Sequence, residues 1–217
     1  MTPSAGNAAG GGRSRGATVT LHVVASLDGF IANKDNTVAW MDSPGDVYEK
    51  GVAEGADDTA AAIDCFVLGS RTYEHALELG WPYGDTPTIV ITSRKLPSAR
   101  KSVEFYSGDL TKLVHEFLAA RFGNHSDTNT ANIWLVGGAK LCQSFLRLAL
   151  VDEIRLMIAP VTLGEGLPLF ASSGADSGAS SGANQDPLQK WHLKNVVGYK
   201  NSYVELTYRR PPLDHHA

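Results

Sequence analysis

Short apolar runs and amphipathic stretches alternate along most of this chain. Residues 18–26 (TVTLHVVAS) are rich in β-branched side chains and end in a polar turn at Asp28-Gly29, which predicts a strand. Apolar runs at 62–68 (AIDCFVL), 86–92 (TPTIVIT), 132–136 (NIWLV) and 152–159 (DEIRLMIA) predict four more, and 102–106 a weaker one. Three of these stop at a breaker: Gly69, Gly137-Gly138 and Pro160. Residues 191–197 and 202–209 flank Gly198 and Asn201 and read as a terminal hairpin. The clearest helix is 109–122, where Leu110, Leu113, Val114, Phe117 and Leu118 recur on one face between Asp109 and Gly123. Residues 140–150, 70–79 and 46–56 predict further helices. Continuous apolar strands between helices mark a sheet covered on both faces. The expected fold class is therefore α/β: a mixed, mostly parallel sheet closed by an antiparallel hairpin.

Two segments break the pattern. Residues 1–17 contain five glycines and no large apolar side chain except the initial Met, and 172–187 (SSGADSGASSGANQDP) are small and polar. Neither can bury enough surface to offset the entropy of ordering. They are expected to be a disordered tail and a flexible insert around one domain at 18–210. Residues 124–132 predict a polar loop.

Composition narrows the function. The net charge of −4 argues against a nucleic-acid partner held by bulk charge, and no apolar run approaches a membrane span. Two cysteines, Cys65 and Cys142, cannot make a disulfide framework or a four-cysteine zinc site, and the histidines lack HxxxH or HExxH spacing. No metal is expected. Free thiols in apolar runs, and a start without the apolar core of a secretory signal, suggest the cytoplasm.

The candidate chemistry lies where strands meet helices. In FVLGSRTYE, Gly69 ends a strand and Ser70, Arg71 and Thr72 open a helix. Free backbone N–H groups, a positive dipole end, a cation and two hydroxyls suit a phosphate. In IWLVGGAKL, Gly137 and Gly138 do the same and leave room for a ligand against the backbone. Each turn alone reads equally as α/β packing, and neither is GxGxxG or a Walker A loop. Together they point to a phosphate-bearing cofactor. Thr92, Ser93, Arg94 and Lys95, at another strand end, could hold a phosphomonoester or form a solvated basic turn.

Taken in order, ASLDGFIA, Trp40, LGSRTYE, ITSRKLP, IWLVGGAKL and DEIRLMIAPVTLGEGLPLF resemble the dihydrofolate-reductase-like superfamily. The nearest branch holds the reductase domain of bacterial riboflavin biosynthesis and its stand-alone relatives. The resemblance covers 18–209, apart from the insert. It implies an NADPH-binding sheet of about eight strands. By motif, Gly69, Ser70, Arg71 and Thr72 would hold the pyrophosphate, and Thr92, Ser93 and Arg94 the adenosine 2′-phosphate. Val136, Gly137, Gly138, Ala139, Lys140 and Leu141 would line the cofactor, with a cis Gly137–Gly138 bond. Ala25 and Ile31 would offer backbone groups to the nicotinamide.

On the substrate side, the resemblance makes Asp28, Asp46 and Trp40 the catalytic candidates. Asp46 is one residue further from the tryptophan than the usual pattern and reads equally as a helix N-cap. Asp28 reads equally as a turn holder. Phe30 stands where riboflavin-pathway reductases usually carry a basic residue. The implied activity is hydride transfer from NADPH to a small nitrogenous heterocycle or a related C=N or C=O bond. Authentic riboflavin-pathway or dihydrofolate reduction, and an NADPH-binding redox sensor, are the alternatives. The resemblance also points to a homodimer, with its interface at 161–170 (VTLGEGLPLF) or at the hairpin.

Overall fold

Ten consecutive residues whose side chains alternate between two environments form the central strand, β1 (Ala17–Ser26). Ala17, Val19, Leu21 and Ala25 are buried on one face, while Thr18, Thr20, His22 and Val24 line the other. A computed structural model of the chain describes residues 16–41, 50–53, 63–123, 130–170 and 188–211. The expectations for the tail before residue 16, for residues 124–129, for the insert 172–187 and for Asp46 lie outside the described residues.

The other strands are β2 (Phe30–Ala32), β3 (Lys50–Ala53), β4 (Cys65–Gly69), β5 (Thr88–Ile91), β6 (Val103–Tyr106), β7 (Ala131–Gly137), β8 (Glu153–Ala159), β9 (Leu167–Pro168), β10 (His192–Tyr199) and β11 (Val204–Arg209). Nine form one sheet in the order β3-β10-β11-β8-β1-β7-β4-β5-β6, and β2 pairs with β9. The six strands from β8 to β6 are mutually parallel. The hairpin β10–β11 adds antiparallel to β8, as expected.

Helix α1 (Ser70–Glu78) packs on one face through Tyr73 and Ala76, against Leu68 and Val90. The other face carries α4 (Ala139–Arg147) and a composite helix. That helix runs from α2 (Leu110–Lys112) through a π-helical turn (Leu113–Leu118) into α3 (Ala119–Phe122). The sequence periodicity of 109–122 predicts one regular helix. The π turn instead brings residue i over i+5, so Leu113 and Leu118 are both fully buried against the sheet. Phe145, Leu21, Ile133 and Leu135 complete this core at essentially zero exposure. Each such side chain contributes about 1.5–3 kcal/mol on burial.

One predicted element is corrected. Within the helix expected at 46–56, residues Lys50–Ala53 form an edge strand antiparallel to β10. A short helix has little stability of its own, whereas the edge of β10 offers ready backbone partners. The 161–170 segment folds largely onto its own chain. Leu169 is buried in the main core and Leu167–Pro168 pairs with β2, which leaves Phe170 exposed.

Candidate functional site

The carboxyl ends of β5, β4, β7 and β1 lie side by side on one edge of the sheet. Gly69 is level with Ile91 on β5, and Leu68 with Gly137 on β7. The β1–β7 ladder ends at Leu21 and Leu135, while β1 runs on beside β8 until Ser26 meets Ala159. A crevice thus opens between β1 and β7. From β4 the chain crosses to β5 through α1 on one face, and from β7 it passes over β1 to β8 through α4 on the other. Neighbouring strands whose connections leave in opposite directions make a topological switch point, where open α/β sheets bind ligands.

Both helices on this edge begin without a cap. Gly69 (φ −84°, ψ 166°) precedes α1 and Gly138 (φ −81°, ψ −173°) precedes α4. Neither N-terminus has a side-chain cap or an acidic residue in its first turn. No side chain caps the first amides of either helix, and the dipoles favour an anion there. The two turns touch. A Cβ placed on Gly69 would stand 3.7 Å from Gly137 O and from Gly138 N, and one on Gly138 would stand 3.5 Å from Thr72 Oγ1. The Gly137–Gly138 peptide is cis, as the resemblance implies. Ser70, Arg71 and Thr72 form the first turn of α1, and Ala139, Lys140 and Leu141 that of α4. Val136 packs beside Leu68 under α1. The two glycine turns, remote in sequence, lie against each other.

The third motif lies one strand further out. Past β5, the Arg94 N–H donates to Thr92 Oγ1 at 3.0 Å, which sets the turn. Ser93 and Lys95 are exposed. The Arg94 guanidinium reaches back to α1, where Nη1 donates to Glu74 Oε2 at 2.9 Å and Nη2 to Oε1 at 2.7 Å. Glu74 carries no distinctive signal in the sequence beyond its place four residues after Ser70.

At the end of β1, Asp28 is fully engaged. It accepts from the Ser26 hydroxyl at 2.5 Å, from Leu163 N–H at 3.1 Å and from Gly164 N–H at 2.7 Å. The Ser26 hydroxyl first, and the two amides after it, hold the Asp28 carboxyl below the usual carboxylate range. Asp28 is therefore ionised at neutral pH and clasps the distant loop through Leu163 and Gly164. The strap after β2 is tied down in the same way. Lys34 Nζ pairs with Glu165 at 2.6 Å, and Arg71 Nη1 donates to Asn36 Oδ1 at 3.0 Å. Asn36 and Glu165 were not singled out by sequence, because their partners are distant along the chain. Ala25 and Ile31 are buried beside this strap. Trp40 is half-buried against Met157, Ala159 and Tyr203, on the sheet face opposite α4. Its indole N–H is buried and has no hydrogen-bond partner among the described residues.

Comparison with known proteins agrees with this geometry. The uncharacterized protein YwjB of Bacillus subtilis (strain 168) is 32% identical over 152 residues, which cover 69% of this chain and 80% of YwjB. A crystal structure of a protein assigned to riboflavin biosynthesis from Shewanella sp. PV-4 superposes with a TM-score of 0.66 at 21% identity, covering 90% of this chain and 99% of that one. Dihydrofolate reductase from Enterococcus faecalis, solved with NADP(H), superposes at 0.52 with 13% identity, covering 91% and 98%. The two structures show the shared fold. The family model of the RibD C-terminal domain matches residues 17–204, and the chain belongs to that family.

Proposed function

We propose that the protein is an NADPH-dependent reductase acting on a small nitrogenous heterocycle or a related C=N or C=O bond. The observation that carries this reading is the pair of uncapped helix starts brought together at Gly69 and Gly138. A Cβ at either glycine would fill the space where a pyrophosphate has to lie against backbone N–H groups. The residues present therefore fit the cofactor.

Gly69 to Thr72 hold the pyrophosphate in this reading, Val136 to Leu141 line the cofactor beside the nicotinamide and its phosphates, and Thr92, Ser93 and Arg94 hold the 2′-phosphate. Ala25 and Ile31 flank the nicotinamide. The cofactor, when bound, supplies the hydride. The chain binds and orients its partners, and the strap and the 161–166 loop exclude water. Asp28 serves as a positioning residue for that loop. Trp40 offers a buried N–H donor and Asp46 a carboxylate on the substrate side. The free thiols support a cytoplasmic setting.

Calorimetric titration tests the cofactor. NADPH should bind more tightly than NADH, and Arg94→Ala should remove a charge-assisted contact of about 1.5–3 kcal/mol, or about one to two decades of affinity. Equal affinities in the unsubstituted protein would overturn the reading. Turnover of NADPH against dihydrofolate, pyrimidine and carbonyl compounds separates an enzyme from a redox sensor.

We also propose a two-fold homodimer. Phe170 is 60% exposed, Leu193 54% and Val196 42%, which supports an interface that includes the hairpin. Light scattering should give twice the chain mass of 23.2 kDa, and a constant single-chain mass at high micromolar concentration refutes it.

A further inference from the structure

Among the described residues, Glu74 is the acidic side chain that pairs with the basic turn after β5. Its two carboxylate oxygens take both terminal nitrogens of Arg94, at 2.7 and 2.9 Å. It also lies one helical turn beyond Arg71, whose charge it feels. The pair is open to water, with side-chain exposures of 53% for Arg94 and 41% for Glu74.

We propose that Glu74 is a specificity-determining residue: its carboxylate competes with an adenosine 2′-phosphate for Arg94 and so limits the preference for NADPH over NADH. This rests on the cofactor reading above.

The physical argument has two parts. A bidentate carboxylate on a guanidinium occupies the seat that a phosphate uses, because both present paired oxygens to the same fork of donors. An exposed ion pair is weak, so a phosphomonoester with nearly two negative charges displaces it, but against the repulsion of the carboxylate left beside it. An unphosphorylated ribose has the opposite preference. Its 2′-hydroxyl can donate to a carboxylate, which is how an acidic residue favours NAD in other nucleotide-binding sheets. The turn therefore combines a cation suited to the phosphate with an anion suited to the hydroxyl.

The test is binding, read by calorimetry on the full chain, with adenosine 2′,5′-bisphosphate and adenosine 5′-monophosphate as probes. Glu74→Gln should tighten the bisphosphate by about threefold, the scale of one exposed ion pair, and should not tighten the monophosphate. Glu74→Ala should act in the same direction. Arg94→Ala should weaken the bisphosphate by roughly tenfold or more. In the double variant the gain from Glu74→Gln should vanish, because the competition needs Arg94. If Arg94→Ala leaves bisphosphate affinity intact, the cofactor reading of this turn fails and the inference with it. If Arg94→Ala weakens binding but Glu74→Gln and Glu74→Ala leave it unchanged or weaken it, the inference alone is overturned, and Glu74 merely holds the arginine in place.

Discussion

Gly138→Ala separates a ligand-driven glycine from a structural one. The backbone at Gly138 has φ −81°, which any residue adopts, and the added methyl would meet only Thr72 Oγ1, at 3.5 Å, an ordinary contact. The fold should therefore accept it, with a stability change within about 1 kcal/mol of zero. The methyl would, however, stand between the two helix starts, where a pyrophosphate has to approach the backbone. Forcing an extra carbon into a close-packed contact costs about 1–3 kcal/mol, which is about one to two decades of affinity. Gly137→Ala is the contrast. At φ +144° a Cβ is strained whatever the space, so that variant should lose stability even without ligand. Urea unfolding measures the first quantity and NADPH titration the second. A Gly138→Ala protein that is as stable as the parent and still binds NADPH with parental affinity would refute the placement of the cofactor.

Other expectations follow from single contacts. Asp28 has its carboxyl lowered by Ser26 and the 163–164 amides, so its stabilisation is present above the unfolded carboxyl value and is lost as pH falls through the lower folded one. Asp28→Asn should flatten the acid limb of stability against pH, and an unchanged limb would count against the clasp. Gly166→Ala would put a Cβ 2.3 Å from Ala32 O, and should destabilise by about 1–3 kcal/mol in a urea titration. Burial pushes the Cys65 and Cys142 thiols up to about 12, so iodoacetamide at mildly alkaline pH should label them only after unfolding; labelling of the folded protein at the rate of a free thiol would contradict the packing.

Local pattern by itself determined which segments become the strands of the parallel sheet and where the helices after Gly69 and Gly138 start. Apolar runs that stop at Gly69 and at Gly137-Gly138 are legible because a strand needs continuous burial, and a close backbone turn favours glycine. The order of the motifs was enough to expect the family and its fold. Contacts between distant segments were not legible. Nothing near Asp28 in sequence shows that its carboxylate holds the amides of Leu163 and Gly164. Nor does the helical pattern of 70–79 show that Glu74 pairs with Arg94 in the turn after β5, since that depends on how α1 lies against the strand ends. Lys50–Ala53 is the same lesson in the backbone. Its local pattern is ambiguous, and the free edge of β10 decided in favour of a strand, because hydrogen bonds to a partner 140 or more residues away along the chain are invisible to any local window.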